Sequence, residues 1–562
     1  MVVLGGGVGG LTAAHELAER GFDVTVVEPL ALGGKARSIS VPGTGVGGRK
    51  DLPGEHGFRF FPGFYQNVPD TMRRIPFPGN ANGVFDNLVA ATQEALYLNH
   101  GQGALYVGLE TNFTGVAQGE QLLLAALSVV KGVPANELEY FVRKLLVYIT
   151  SCDARRFGEW EFTPWWTFVN AANFSPVYQQ VLAEGLTRNL VAAKGTVAST
   201  NTIGLMAEAF ILTTGASKLG GASKLASGYG APDRVLNAPT NEAWIDPWVA
   251  YLTSLGVKFM MPYGAASLQL EGGRIVSATL FDSSWHLSTI EADQFICAMP
   301  VERILPLLSP EILSTDPDLE KLALLQTDWM NGIQFFLNRS EPHPVEGHAA
   351  YMYSPWALTS LTQAQFWTGR NISADYGNGA VHDILSVDIS DWITPGILYG
   401  KPANECTPDE IANEVWAQIK QVVDIQGDTE LTDDMLVGWF LDPGINYPDG
   451  PSGPAANSTP LLINTVGSWY NRPTATTAIS NLYLAADYVQ NNITLATMEG
   501  ANEAARQAVN ALLAQTGSSS APAPLYNLYV PPEFVLEQEI DADRYAAGQP
   551  NVLDVGPTGL PL

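Results

Sequence analysis

The stretch Val2-Val3-Leu4-Gly5-Gly6-Gly7-Val8-Gly9-Gly10 decides the fold of this 562-residue chain. It places a Gly-x-Gly-x-x-Gly array (Gly5, Gly7, Gly10) between an apolar start and a helical stretch from Leu11 to Arg20. Gly21 stands where a helix C-terminus favours a left-handed residue, and Phe22 to Val27 has the β-branched composition of a strand. The pattern predicts a strand–turn–helix–strand unit.

Such a unit is suited to a dinucleotide. Its glycines let the backbone approach a pyrophosphate, and the helix N-terminus supplies free N–H groups and a favourable dipole. Glu28, at the end of the second strand, is placed to accept hydrogen bonds from a ribose diol. The alternative is a tight turn that binds nothing, but array, helix, strand and acid together favour the dinucleotide site.

Length and composition limit the class of protein. A chain of 562 residues is too long for one core, so two or more domains are expected. It is 46% hydrophobic, and 57 acidic against 29 basic residues give a formal charge of −28. Such a surface repels phosphate backbones and anionic lipid headgroups, which argues against nucleic-acid binding. Whether this acidity reflects a high-salt habitat stays open.

The cysteines and the apolar runs predict a cytoplasmic protein without a transmembrane segment or a secretory signal. Cys152, Cys297 and Cys406 lie far apart, as expected in a reducing compartment. The longest apolar run, Leu122 to Val130, is too short to span a bilayer. Cysteines and the seven histidines are scattered, so we expect no metal site.

Two further loops carry candidate site residues. Leu32 to Ser38 contains Gly33, Gly34, Lys35 and Arg37, a combination suited to closing over a diphosphate, although a solvated basic turn is the alternative. Gly54 to Pro62 packs glycines, aromatic rings and the charged groups Glu55, His56 and Arg59 into nine residues. This mixture fits the floor of a buried site, although Phe60 and Phe61 also suit a core.

The remaining elements predict an α/β fold whose cofactor domain is discontinuous in sequence. Helices are expected at 120–131, 136–149, 241–255 and 501–513, and strands at 257–261, 265–271, 274–281, 293–298 and 481–487. The predicted Rossmann-type domain comprises 1–61, 236–300 and 480–515. A mixed helix/sheet (α+β) substrate domain comprises 62–235 and 301–479, and 516–562 form a linker and an acidic tail expected to wrap the surface.

The order of these motifs resembles the flavin-containing amine oxidoreductase superfamily. The signals are Gly5 to Glu28, the Gly33-Gly34-Lys35 loop, the strand before Met299-Pro300, and Asp487 followed by Met498-Glu499-Gly500. The stretches Gly54 to Pro62 and Leu484 to Arg506 resemble its phytoene desaturase and hydroxysqualene dehydroxylase branch in particular.

This resemblance implies FAD bound non-covalently in an extended conformation. Glu28 would hold the adenosine ribose, with Lys35 and Arg37 near the diphosphate and Asp487 near the ribityl chain. The implied cofactor-binding residues are Gly5, Gly7, Val8, Gly9, Gly10, Glu28, Gly33, Gly34, Lys35, Arg37, Gly57, Phe58, Arg59, Ala298, Asp487, Met498, Glu499 and Gly500.

Three departures argue against an amine oxidase. Ala504-Ala505 stand where the superfamily often has a Ser-Gly pair, and Met330 to Phe336 lacks the lysine that amine oxidases often place near the flavin. No cysteine directly precedes Asp487 to tether the flavin.

The sequence therefore predicts an oxidoreductase that dehydrogenates or oxidises a hydrophobic, isoprenoid-like small molecule held by shape. The aromatic content supports an apolar substrate, and no catalytic pair is visible along the chain. Arg59, Glu55 and His56 are the candidate catalytic residues. Amine or amino-acid oxidase, flavin-dependent isomerase of a polyene or fatty acid, and non-catalytic flavoprotein are the alternatives. Oxygen and a quinone are both open as electron acceptor, and the oligomeric state is open.

Overall fold

The computed structural model describes residues 1–98, 104–106, 116–127, 132–185, 187–216, 233–423, 431–528 and 534–555. The α-helices are α1 (Val8–Ala18), α2 (Asn67–Arg74), α3 (Val116–Leu127), α4 (Ala135–Ile149), α5 (Asp153–Gly158), α6 (Trp165–Phe168), α7 (Arg188–Val191), α8 (Thr200–Ala216), α9 (Asp246–Ser254), α10 (Val301–Ile304), α11 (Pro310–Thr315), α12 (Ile372–Asp375), α13 (Pro408–Val423), α14 (Met498–Thr516) and α15 (Val535–Ala546).

The strands are β1 (Val2–Leu4), β2 (Thr25–Val27), β3 (Ser38–Val41), β4 (Leu52–Glu55), β5 (Leu88–Ala91), β6 (Gln93–Tyr97), β7 (Ala104–Tyr106), β8 (Asp233–Leu236), β9 (Lys258–Met260), β10 (Tyr263–Glu271), β11 (Arg274–Asp282), β12 (Leu287–Glu291), β13 (Phe295–Cys297), β14 (Gln326–Asp328), β15 (Asn331–Leu337), β16 (Gly347–Tyr351), β17 (Thr359–Thr362), β18 (Asp383–Ile389), β19 (Leu436–Leu441), β20 (Ile445–Asn446), β21 (Ala456–Asn457), β22 (Leu461–Ile463) and β23 (Leu482–Leu484).

A parallel sheet brings together strands from the start, the middle and the end of the chain. Its order is β23-β13-β1-β2-β9, and Val3 lies opposite both Val26 and Ile296. The strands β1, β13 and β23 are fully buried, as is usual for a parallel sheet with helices on its faces. Helices α1 and α14 pack against one another beside this sheet. The α/β class is confirmed, while the predicted domain boundaries stay a prediction.

Helix α1 begins at Val8, three residues before the predicted Leu11. Gly9 and Gly10 are helical and fully buried, so the end of the glycine array lies in the first turn of the helix, while Gly5 to Gly7 form the turn before it. Gly21 follows the helix with φ +80°, as predicted for a left-handed residue. The predicted helix at 241–255 begins with a π-helical turn, Asn241–Ile245, before α9.

A second sheet, of seven strands, has one face packed on helix α13 and a second face that mixes polar and apolar side chains. Its order is β19-β15-β18-β17-β16-β6-β7. On one face Phe335 and Val387 pack with Val415 of helix α13. Side chains alternate between faces along each strand, so Gln334 and Asp388 lie on the opposite face. This second face is directed toward the loop that follows β4, because the Glu55 N–H donates to Gln334 Oε1 at 2.9 Å.

The C-terminal segment is anchored by a buried acid. In α15 the carboxylate of Asp541 is fully buried, and it accepts from the Cys152 N–H at 2.9 Å and from Arg155 Nε at 3.0 Å. The tail predicted to wrap the surface thus inserts one of its acids into the interior. Among the described residues, none of the helices combines the length and apolar character that a bilayer span requires.

Candidate functional site

The turn between β1 and α1 can be built only with glycine at several positions. A Cβ on Gly10 would lie 1.9 Å from the Gly5 carbonyl oxygen, and one on Gly9 would lie 2.1 Å from that of Ala485. Gly5 has φ +111°, and a Cβ there would lie 2.5 Å from the oxygen of Ala298. The residues that follow β13 and β23 therefore contact the turn directly. Because the turn is made of glycines, no side chain of its own covers its backbone at the helix N-terminus.

Glu28 fixes the shape of this turn from the end of β2. Its Oε2 accepts from the Gly6 N–H at 2.9 Å, and its Oε1 accepts from the Leu30 N–H at 2.9 Å. Oε1 also accepts from the Ala31 N–H at 3.3 Å. A carboxylate has about four lone-pair sites, so one remains for another donor. The structure thus places Glu28 beside the turn with capacity for a ribose, and its predicted ribose contact stays a prediction.

The loop with Gly33 and Gly34 contacts the turn at Gly6. Gly33 has φ +95°, and its N–H donates to the Gly6 carbonyl at 2.8 Å. The two cations of the loop already have protein partners: Lys35 Nζ contacts Glu302 Oε1 at 3.3 Å, and Arg37 donates to the Gly34 carbonyl at 2.7 Å. Both side chains are therefore engaged by protein atoms, and their predicted role at a diphosphate stays a prediction.

The start of α14 uses two side chains to join helices. Thr497, which was not predicted, caps α14 because its Oγ1 accepts from the Gly500 N–H at 2.9 Å. The Glu499 carboxylate accepts the backbone N–H groups of Asn67 at 2.6 Å and Val68 at 2.8 Å, and so caps α2. The Glu499 carboxylate thus has partners in α2, and the predicted cofactor contact of Glu499 stays a prediction.

A buried arginine missed in the sequence holds the segment that follows β23. Arg472 donates from Nη2 to the carbonyl oxygens of Asp487 at 2.8 Å and Val489 at 2.6 Å, and from Nε to Tyr488 at 3.0 Å. Burial lowers the pKa of Arg472 to about 10, although the nearby Asp487 opposes this. Its buried Nη1 has no partner in the described part of the chain. Nothing in the local sequence marks this clamp.

The predicted catalytic histidine is paired with an aspartate. His56 Nδ1 lies 2.6 Å from Asp442 Oδ2, and Asn331 Nδ2 donates to the same carboxylate. Burial lowers the pKa of His56 although Asp442 acts to raise it, so the ring is neutral near neutral pH. Because a carboxylate only accepts, Nδ1 carries the hydrogen and Nε2 is left as an acceptor.

The other two candidates, the buried Glu55 and the half-buried Arg59, also have structural partners. Glu55 Oε1 accepts from Thr240 Oγ1 at 2.9 Å, and burial raises the pKa of Glu55. Arg59 donates to the Gly57 carbonyl at 2.6 Å and to the Lys35 carbonyl, so it ties the two loops together. Its buried Nε has no partner among the described residues.

Asp388 of β18 belongs to the same site and was not predicted. A Cβ on Gly57 would lie 2.6 Å from Asp388 Oδ1, so only glycine permits the loop to rest on this carboxylate. Burial raises the pKa of Asp388 to about 7, although the charge of Arg59 opposes this.

Residues 8–513 match the family model for flavin containing amine oxidoreductase. The chain belongs to this family. It is a flavin-dependent oxidoreductase, as predicted. This flavin oxidoreductase is 44% identical over 68 residues to carotenoid phi-ring synthase from Chlorobaculum tepidum. That match covers 12% of this chain and only 10% of the relative.

Two solved structures share the fold of this flavin oxidoreductase. Cyclohexylamine oxidase from Brevibacterium oxydans aligns with a TM-score of 0.58 at 12% identity, over 92% of this chain and 99% of that one. An oxidoreductase from Methanosarcina mazei aligns with a TM-score of 0.53 at 12% identity, over 91% and 99%. At this identity the two likenesses show the fold alone.

The residues present fit a flavin dinucleotide. The turn at Gly5 to Gly10 leaves the α1 N-terminus open to a pyrophosphate, and Glu28 keeps acceptor capacity beside it. The N-terminus of α14 provides a positive dipole end that suits the electron-rich edge of a flavin ring. This flavin oxidoreductase therefore has a glycine turn suited to the pyrophosphate and a second helix N-terminus suited to the flavin ring.

Proposed function

We propose that the chain is an FAD-dependent oxidoreductase that removes a hydride from a hydrophobic, isoprenoid-like small molecule. The observation that carries the proposal is the turn at Gly5 to Gly10, closed against Ala298 and Ala485, with Glu28 fixed beside it. Because this unit suits the adenosine half of a dinucleotide, it favours FAD over a mononucleotide.

The residues that would hold FAD follow from this geometry. Glu28 would accept from the ribose diol, the α1 N-terminus would face the diphosphate, and Asp487 would bind the ribityl chain. The N-terminus of α14 would face the ring. FAD supplies a ring that takes up a hydride and stores two electrons. The protein positions the substrate, excludes water and moves the accompanying proton.

His56 is the group that we assign to that proton. Asp442 holds the hydrogen on Nδ1, so Nε2 of the neutral ring can accept a proton while Asp442 stabilises the resulting imidazolium. No such pair is visible in the sequence, because 386 positions separate the two residues. The contact between His56 and Asp442 therefore adds a candidate pair that the sequence analysis did not identify.

Two observations support an isoprenoid-like substrate over an amine. The matched relative over 68 residues is named for carotenoid ring synthesis. Strand β15, which lies beside the loop at His56, contains no lysine. The structural likeness to cyclohexylamine oxidase concerns the fold and does not favour an amine.

The first test is the cofactor and its turnover. Purified protein should be yellow and should release FAD on heat or acid denaturation. Incubation with isoprenoid alcohols and polyenes, with oxygen or a quinone as acceptor, should yield products oxidised by two electrons. Colourless protein that FAD does not restore, or a product isomeric with its substrate, would contradict the proposed function.

A further inference from the structure

Four polar side chains, three buried and one half-buried (His348), lie on one face of the seven-stranded sheet, and we call this set the polar floor. They are Gln334 on β15, Asp388 on β18, Thr359 on β17 and His348 on β16. Asp388 is directly opposite Thr359, and Gln334 and His348 both lie in the neighbouring row through Ser386 and Leu361. Residues opposite one another, or two apart along a strand, share a face.

Each member of the polar floor has a buried polar atom that lacks a hydrogen-bond partner within the described ranges. These atoms are Gln334 Nε2, Asp388 Oδ1, Thr359 Oγ1 and His348 Nε2. Buried polar groups are nearly always paired, so even one such atom requires a cause. Four of them on adjacent strands, spread over roughly 14 Å at the usual strand spacing, indicate that this face pairs with polar atoms from outside the chain.

The polar floor borders the predicted reaction site. The ring of His348 lies 4.9 Å from that of Phe58 and 5.2 Å from that of Phe60, centroid to centroid. Gly57 rests on Asp388 in the same loop. The loop that carries His56 and Arg59 is therefore packed directly against the floor.

His348 is the best-defined donor of the set. Its Nδ1 lies 2.7 Å from Oδ2 of Asp233, a fully buried carboxylate at the start of β8. Burial lowers the pKa of His348, but Asp233, Glu94 and Asp388 together raise it above its ordinary value. A protonated imidazole donates from both nitrogens, and Asp233 occupies only one of them. Below this raised pKa the ring is protonated, and its Nε2–H is then a charged donor.

We propose that the polar floor binds an oxygen atom of the substrate, with His348 as the anchoring donor. The substrate is then an oxygenated isoprenoid-like compound, such as an alcohol or a ketone, and not a pure hydrocarbon. A hydrocarbon offers a hydrogen-bond partner to none of these atoms, whereas a hydroxyl or carbonyl oxygen accepts the hydrogen bond of the protonated His348. This inference rests on the proposed function and replaces the expectation that shape alone holds the substrate.

The test compares two ligands of equal carbon skeleton on the FAD-loaded protein. Farnesol and the hydrocarbon farnesene are titrated anaerobically, and binding is read from the change in flavin absorbance. We expect the wild type to bind farnesol at least about tenfold more tightly, as a hydrogen bond to a charged donor provides. His348→Leu should abolish this preference without weakening farnesene binding. The control His286→Leu alters an exposed histidine and should leave both affinities unchanged.

A second variant guards against misfolding at the half-buried histidine. Thr359→Val removes an unpartnered hydroxyl at nearly constant volume, so it should fold and should still weaken farnesol binding selectively. Equal affinity for the two ligands in the wild type, or a preference that survives in both His348→Leu and Thr359→Val, overturns the inference and leaves the proposed function standing. If neither compound binds while an amine does, the proposed function fails as well.

Discussion

The imidazole of His56 lies 2.6 Å from the carboxylate of Asp442, which approaches it from a strand end 386 positions further along the chain. The carboxylate fixes the hydrogen on Nδ1 and turns Nε2 away as an acceptor. Burial alone would lower the pKa of this histidine further than the observed environment does, because Asp442 opposes the effect.

Asp442→Asn should therefore lower the pKa of His56 still further, since burial would act without the compensating charge. Flavin reduction needs the neutral ring and is lost as the pH falls through this pKa, so the acid limb of the rate profile should move to lower pH. The maximal rate should fall about 10- to 100-fold, because the imidazolium loses its counter-charge.

NMR titration of the His56 ring, together with the pH profile of flavin reduction, measures both effects. Asp434→Asn is the matched control, since Asp434 is exposed and pairs with Arg339 at the surface. An unchanged His56 titration in Asp442→Asn would show that the two groups are not coupled.

Glu499→Gln should destabilise the protein without affecting the cofactor. The carboxylate receives backbone hydrogen bonds from Gln66, Asn67 and Val68, and a glutamine would present an NH₂ group to one or more of these donors. We expect the free energy of unfolding in urea to fall by about 1.5–3 kcal/mol. FAD affinity should stay within about twofold of the wild type. Weakened FAD binding with unchanged stability would show that the Glu499 side chain contacts the cofactor.

Arg472→Lys should weaken FAD binding through the segment at Asp487. A lysine has one nitrogen and cannot reach the three carbonyl groups that the guanidinium holds in a fixed arrangement. Titration of apoprotein with FAD should give an affinity lower by about 10- to 100-fold. Arg339→Lys, at an exposed ion pair, should have no effect. If both variants bind FAD like the wild type, the clamp is purely structural.

Glu28→Ala should cost FAD affinity by removing the ribose acceptors. The expected loss is about 1.5–3 kcal/mol per charge-assisted bond at most, without additivity. The variant also loses the bonds from Gly6 and Leu30, so the turn loosens and stability falls modestly. Apoprotein titration measures the first effect, with the exposed Glu271→Ala as control. Unchanged affinity would mean that the ribose lies elsewhere.

Local signals made the cofactor domain predictable, whereas long-range side-chain pairs did not appear in the sequence. The turn at Gly5 to Gly10 and Glu28 lie in one short stretch, so their spacing reports their geometry. Glycine usually marks the end of a helix. Here the absence of a Cβ lets Gly9 and Gly10 form the first turn of α1, close to the carbonyl oxygens of Ala485 and Gly5. Helix α14 likewise begins at Met498, before the predicted Ala501, because Thr497 caps its N-terminus.

The missed residues share a physical cause. Asp442, Arg472 and Asp388 each act on a segment reached only through the tertiary fold, and no local pattern marks a buried charge whose partner is distant. Strand β18 has the sequence of a buried, largely apolar strand with two acids. Nothing in that sequence indicates that Asp388 faces Gly57. Such sites follow from sheet register, which one sequence does not specify.

The most direct measurement is anaerobic reduction of the bound flavin, followed by absorbance, with isoprenoid alcohols and polyenes compared with primary and secondary amines of matched size. We predict that at least one isoprenoid compound bleaches the flavin without added metal, while the amines leave it oxidised. Bleaching by the amines with the isoprenoid compounds inert would contradict the proposed hydride transfer and identify the chain as an amine oxidase.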